Sequence, residues 1–171
     1  EKDLLKYSAL ILPNTACLSA SQTAAVERYV EAGGGLLATY ETSLYDESGK
    51  KHYDFQLGDI LGASFVGRKE GYTYLKLTKE HPVTYELKLG RIIPCGDQLT
   101  VKMKGDTTTL ANMVIPLRRV HEIPTQETEN PSLLVRKHGK GRVIYLASKM
   151  EQTYWNYSRP DIGNLLANCI R

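Results

Sequence analysis

Two carboxylates held on either side of a glycosidic bond are the minimal equipment for acid and base work on a sugar. Glu41 stands close to Asp46 and Glu47 in one polar stretch, which makes them the first candidates. Glycosidase pairs keep a fixed spacing across a deep cleft, and carboxylates a few residues apart in one loop do not supply it. Loop capping or a subunit contact is the expected role. Cys17 is a nucleophile by type, but a reactive thiol needs a neighbouring base or cation, and no His lies near it in sequence. An inert, packed Cys is expected.

The glycine runs Gly33-Gly34-Gly35 and Gly139-Lys140-Gly141 invite a phosphate reading. The first closes a helix before a strand and the second joins two strands, the reverse of the strand-to-helix order of a phosphate cradle. Both are expected to be chain reversals. His52, His81, His121 and His138 are dispersed through expected loops as solvated side chains, and Cys17, Cys95 and Cys169 lack C-x-x-C spacing. No metal site, no cofactor and no disulfide framework is expected. Tyr154, Trp155 and Tyr157 can stack on a sugar or anchor an interface, although a packed lid over the core is the preferred expectation. Asn156-Tyr157-Ser158 matches a glycosylation sequon, a tripeptide that arises often by chance.

These residues are positioned by a strand, helix, strand unit over residues 7–41. Tyr7 to Pro13 holds the continuous apolar run Ala9-Leu10-Ile11-Leu12, the pattern of a strand covered on both faces. Ser19 and Gln22 form an S-x-x-Q capping box, so a helix begins near Ala20, with Val26, Tyr29 and Val30 on its buried face and Gly33 at its end. Leu36 to Tyr40 is the second strand, parallel to the first. Asn14, Tyr40, Glu41 and Thr42 therefore fall at the carboxyl edge of the sheet, where ligands of open α/β folds bind. With Trp155 they are the residues expected to make any ligand or subunit contact.

Further along, Thr42 to Asp54 is a polar loop with a turn at Ser48-Gly49, and Asp54 is expected to cap a helix over Phe55 to Leu61 that stops at Gly62. From about Ser64 to Leu117 alternating segments predict an antiparallel β extension, with a hairpin turn at Lys104-Gly105-Asp106-Thr107. Arg118 to Pro131 reads as a polar loop. Ser132 to Arg136 and Arg142 to Ala147 flank a second hairpin turn, and Ser158, Pro160 and Asp161 open a last helix with Ile162, Leu165, Leu166 and Ile170 as its buried stripe.

The 171 residues are enough for one full core, so a single domain over 1–171 is expected, with a β-rich insert at about 64–117. The chain begins at Glu1 without an initiator Met or signal peptide, which points to a fragment of a longer polypeptide. Twenty-two basic against nineteen acidic residues give a net +3, too small and scattered for a nucleic-acid surface. No apolar run approaches the roughly 20 residues that span a bilayer, so no membrane partner is expected.

Taken together, YSALILPNTACLSASQ, YVEAGGGLLATYETSLYDESG, DFQLGDILG and HGKGRVIYLAS resemble the trimerisation-type domain of bacterial glycoside hydrolases, the β-galactosidases of the thermophile type among them. The strand, LP, helix and AGGG pattern is also similar to other amidotransferase-like domains, including the trehalose-utilisation type. The resemblance implies a three-layer α/β fold, flavodoxin-like or class I glutamine amidotransferase-like, with a mostly parallel sheet and the antiparallel β extension. It implies a non-catalytic accessory or oligomerisation domain whose partners are a catalytic barrel of the same chain and, as a further option, other copies in a homo-oligomer. The G-x-C-x-G elbow of the amidotransferases is replaced by Glu41-Thr42-Ser43, so no catalytic residue is expected. The alternative is a domain that binds, or hydrolyses, a small carbohydrate in the crevice at the carboxyl edge.

Overall fold

A computed structural model of the chain describes residues 4–116 and 126–171. A 3₁₀ turn at Leu4–Lys6 leads into β1 (Ala9–Leu12), α1 (Ala20–Glu31) and β2 (Gly35–Thr39). The capping box forms as expected: the Ser19 hydroxyl accepts from the Gln22 amide and the Gln22 side chain accepts from the Ser19 amide. Chain reversal before β2 uses Gly33 at a φ of 120°.

Next come α2 (Gly58–Leu61), β3 (Ala63–Leu77), a 3₁₀ turn at Pro82–Thr84, β4 (Ile92–Met103), β5 (Thr108–Ile115), β6 (Gln126–His138), β7 (Gly141–Leu146), α3 (Met150–Tyr157) and α4 (Pro160–Ile170). All seven strands share one sheet in the order β1-β2-β7-β6-β5-β3-β4. One face packs on α1 and α2 through Val26, Tyr29, Val30, Ile60 and Leu61. The other packs on α3 and α4 through Met150, Ile162 and Leu165. The fold is thus the expected three-layer α/β arrangement. Parallel pairing is confined to β1–β2 and β2–β7, and the other four pairings are antiparallel. The parallel share is smaller than expected because β6 and the whole insert join the same sheet.

Several local expectations need correction. β1 is not covered on both faces: it is an edge strand, and Ile11 is 43% exposed. The helix after Asp54 is only the short α2, because Asp54 Oδ1 accepts from the Phe55 amide at 2.8 Å and the Phe65 amide at 2.7 Å, tying the loop to β3 instead of capping a helix. Gly62 does end it, at a φ of 69°. Lys104 to Thr107 makes a turn but not a hairpin: β4 and β5 do not pair, because β3 lies between them and occupies an edge of each. Gln126 to Pro131 belongs to β6, with Pro131 opposite Asn112 at a register shift where the missing amide is tolerated. The rest of that expected loop, with His121, lies outside the described residues. In α4 the buried positions are Asp161, Ile162, Leu165 and Cys169, while Ile170 is half exposed.

The insert is curved far enough for β4 to meet the chain just past β7. The Leu99 amide on β4 donates to the Ala147 carbonyl just past β7 at 2.7 Å, and Gln98 bridges Ser148. Gln98 is fully buried and its amide donates to the Thr73 hydroxyl at 2.8 Å and the Tyr74 carbonyl at 2.9 Å, with the Ser132 hydroxyl donating to it in turn. One side chain ties β3, β4 and β6 together. The bulged middle of the β3–β4 pair consequently lies over the carboxyl edge of β2 and β7.

Candidate functional site

The carboxyl edge is built around the turn that follows β2. Tyr40 adopts a φ of 49° and Ser43 one of 66°, and left-handed backbone in residues with a side chain is strained unless neighbours enforce it. The neighbours are present. The Tyr40 amide donates to the Leu146 carbonyl at 2.8 Å, and the buried Tyr145 hydroxyl donates to the Tyr40 carbonyl at 2.6 Å. Thr42 Oγ1 donates to the carbonyls of Leu12 at 3.0 Å and Thr39 at 2.7 Å, which fixes the turn to the end of β1.

Asn14, left-handed itself at a φ of 44°, completes the link. Its amide donates to Thr39 Oγ1 at 2.8 Å and its Oδ1 accepts from the Glu41 amide at 3.3 Å. Asn14, Tyr40, Glu41 and Thr42 are therefore brought together. Trp155 makes no hydrogen bond, ion pair or ring contact with them among the described residues, and it is 86% exposed on α3. Tyr154 and Tyr157 are 42% and 67% exposed, so this group is not the expected packed lid. Cys17 is likewise exposed, not packed, and its backbone bridges Tyr45.

Four charged residues that sequence spacing did not reveal complete the edge. Arg68, from β3, forms an ion pair with Glu41 and donates to the Tyr45 hydroxyl. Asp97, from β4, pairs with Lys149 at 3.6 Å, and Lys149 Nζ sits 4.7 Å from the centre of the Tyr40 ring. Glu151, in the first turn of α3, accepts from Thr39 Oγ1 at 3.0 Å. Its Oε2 is buried without a hydrogen-bond partner among the described residues. Lys149 and Glu151 alone carried a signal in the sequence: both come within a few residues of the apolar run of β7, as Glu41 does of β2. The insert residues have none, because only the curvature of the sheet brings them here.

The electrostatics leave little reactive equipment. Burial, reinforced by Glu41, pushes the Tyr40 hydroxyl up to about 12, so it stays protonated at neutral pH. Burial also raises the Glu151 carboxyl, against the lowering effect of its hydrogen bonds and Lys149. Glu41 is neutralised by Arg68. No group of three His, Cys, Asp or Glu side chains able to hold a metal ion occurs among the described residues. Among the described residues the edge offers a buried carboxyl and several donors but no activated nucleophile.

The family model described as "ThuA: Trehalose utilisation" matches residues 1–171. No curated protein matches the chain in sequence. Among solved structures, the β-galactosidase from Bacillus circulans sp. alkalophilus is 20% identical at a TM-score of 0.74, over 99% of this chain and 23% of that one. The α-L-fucosidase isoenzyme 2 from Paenibacillus thiaminolyticus is 20% identical at a TM-score of 0.74, over 100% of this chain and 26% of that one. A thua-like protein from Bacteroides uniformis is 20% identical at a TM-score of 0.70, over 99% of this chain and 70% of that one. The chain spans between a fifth and a quarter of the length of the first β-galactosidases it matches. At these identities the likeness is one of fold.

Proposed function

The chain belongs to the ThuA, trehalose-utilisation, family, and from that premise we propose that it is a non-catalytic accessory and oligomerisation domain of a glycoside hydrolase, one α/β domain over residues 1–171. It packs on a catalytic barrel of the same polypeptide or on a neighbouring subunit. The observation that carries this reading is the closed carboxyl edge: the turn after β2 presents a buried Tyr40 ring and a Glu41 already paired with Arg68. Neither is free to attack or protonate a sugar. A region of the same fold within larger β-galactosidases and a fucosidase supports the accessory role. The exposed rings of Tyr154, Trp155 and Tyr157 on α3 supply a surface of the kind that anchors interfaces.

A second reading, a small carbohydrate bound at this edge, is favoured by one observation, the unpartnered and buried Oε2 of Glu151. Incubation of the purified chain with chromogenic β-galactoside and α-fucoside substrates and with trehalose separates the two. The expected outcome is no turnover above the blank and no shift in melting temperature with sugar. Turnover abolished by Glu41→Gln or Glu151→Gln would sink the accessory reading, and a sugar-dependent melting shift lost in Glu151→Gln would establish the second.

A further inference from the structure

Residues 78–91 join β3 to β4 and are fastened along α4 as a strap. The two ends of the strap are held together, with the Gly90 amide donating to the Leu77 carbonyl at 2.9 Å and the Leu77 amide to the Arg91 carbonyl at 3.0 Å, which makes it an Ω-loop. Both ends of α4 are tied to it. Arg91 pairs with Asp161 in the first turn of the helix at 2.9 Å, and Asn168 Nδ2 in the last turn donates to the Tyr85 carbonyl at 2.8 Å. Between these ties Val83 is buried in the cluster that also holds Leu165 and Cys169 of α4.

The middle of the strap, the 3₁₀ turn at Pro82–Thr84, depends on an imidazole. His81 is its N-cap: His81 Nδ1 accepts from the Val83 amide at 3.2 Å, while the His81 amide donates to Thr84 Oγ1 at 2.9 Å. Ser, Thr, Asp and Asn usually fill this role, and none of them turns from acceptor to donor near neutral pH. Histidine does. An Nδ1 that accepts is unprotonated, so the cap exists only with the neutral ring. Partial burial holds the imidazole below its ordinary value of 6.5, and Arg142 of β7 acts in the same direction. The ring lines a groove of about 870 Å³ that reaches from α4 to β1, and Arg136 and Lys137 of β6, Lys140 in the β6–β7 turn and Arg171 after α4 line it too, with Asp106 the one acidic group. The strap itself carries Lys79, Glu80, Glu86, Lys88 and Arg91. The groove around the ring is thus mostly basic and favours its neutral form.

We propose that the strap is released from α4 by acid: a proton on His81 Nδ1 turns the cap acceptor into a donor facing the Val83 amide, the turn at Pro82–Thr84 loosens, and the groove opens at its Val83 wall. The cap's contribution to stability is fully present above the ordinary value of 6.5 and is lost as pH falls through the lowered folded value. Release uncovers the α4 side of the core while the ion pair of Arg91 with Asp161 keeps the strap attached at its far end. The inference does not depend on the accessory reading.

The native thiols report on it. Cys169 is 9% exposed and lines the groove with His81 and Val83, Cys17 is exposed, and Cys95 is fully buried. Labelling of the 171-residue chain with a pyridyl disulfide, read by mass spectrometry, gives all their rates together, and division by the Cys17 rate removes the pH dependence of the thiol chemistry itself. Between about pH 7.5 and about pH 4.5 the ratio of Cys169 to Cys17 should rise at least about threefold while Cys95 stays unlabelled. His81→Asn, whose amide oxygen caps at every pH, should keep the ratio low at both. His81→Ala, which has no acceptor, should raise it already at the higher pH. A parent ratio that does not change with pH, an Asn variant that follows the parent, or an Ala variant that matches the parent at the higher pH overturns the proposal. Labelling of Cys95 in step with Cys169 also overturns it, because the whole fold would then be opening instead of the strap.

Discussion

The carboxyl edge of β2 and β7 and the groove beside β1 lie on the same small parallel sheet, yet they are finished in opposite ways. At the carboxyl edge β3 and β4 arch over the strand ends, Arg68 meets Glu41, Asp97 meets Lys149, and even a left-handed Tyr40 is held by hydrogen bonds. Beside β1 the apolar floor of Ile11, Leu37, Val135 and Ile144 and the unpaired cations Lys137, Lys140, Arg142 and Arg171 have no such counterpart within the described residues. A position suited to ligand binding by fold alone can be sealed by an insert. Conversely, a face that looked structural in the sequence is the one left with unsatisfied surface.

The largest expected effect compares the two faces directly. Leu36→Ala, on the sealed α1 face, should lower the unfolding free energy by about 3 kcal/mol in urea melts of the 171-residue chain. Ile11→Ala, on the groove face, should change it by no more than about 0.5 kcal/mol there. Equal losses would break the contrast.

Next in size, Tyr145→Phe removes the donor that pins the Tyr40 carbonyl and should destabilise by about 1–2 kcal/mol, with the ring still packed edge-on against Phe55. A neutral result would show that the strained turn holds without this bond. The smallest effect has the opposite sign. Burial raises the Glu151 carboxyl, so the folded state holds that proton more tightly than the unfolded one. Its contribution to stability is fully present below the ordinary value of 4.5 and is lost as pH rises through the raised folded value. Glu151→Gln should therefore stabilise the chain by about 0.5–1 kcal/mol at pH 7 and match the parent below about pH 4, measured by melts across pH. A destabilised Gln variant at pH 7 would mean that the carboxylate is held by a favourable partner, and the edge would be more completely closed than described.

Much of the fold was legible because its signals are local. The capping box at Ser19 and Gln22, the stop at Gly62, the β6–β7 hairpin and the buried Ile162 and Leu165 of α4 each follow from a few neighbouring residues. Of the site, Asn14, Tyr40, Glu41 and Thr42 were legible because the first residues after a parallel strand must reach the carboxyl edge. Arg68 and Asp97 were not, since they arrive from a bulged strand pair whose curvature no short window encodes. The exposed setting of Trp155 was illegible for a related reason: aromatic type predicts burial on average, whereas burial depends on what faces the helix.

By itself, the sequence determined most of the strands and helices, although not α3 or the first half of β6, and also where the main helix starts and which residues a parallel strand delivers to its carboxyl end. Those follow from hydrogen-bond chemistry and apolar period over a few residues. Only the tertiary structure decided that Glu41 is neutralised, that Tyr40 is sealed and that Ile11 faces a groove. Ion pairing and burial depend on groups brought from distant parts of the chain, and an apolar run reads the same whether or not its neighbour is present.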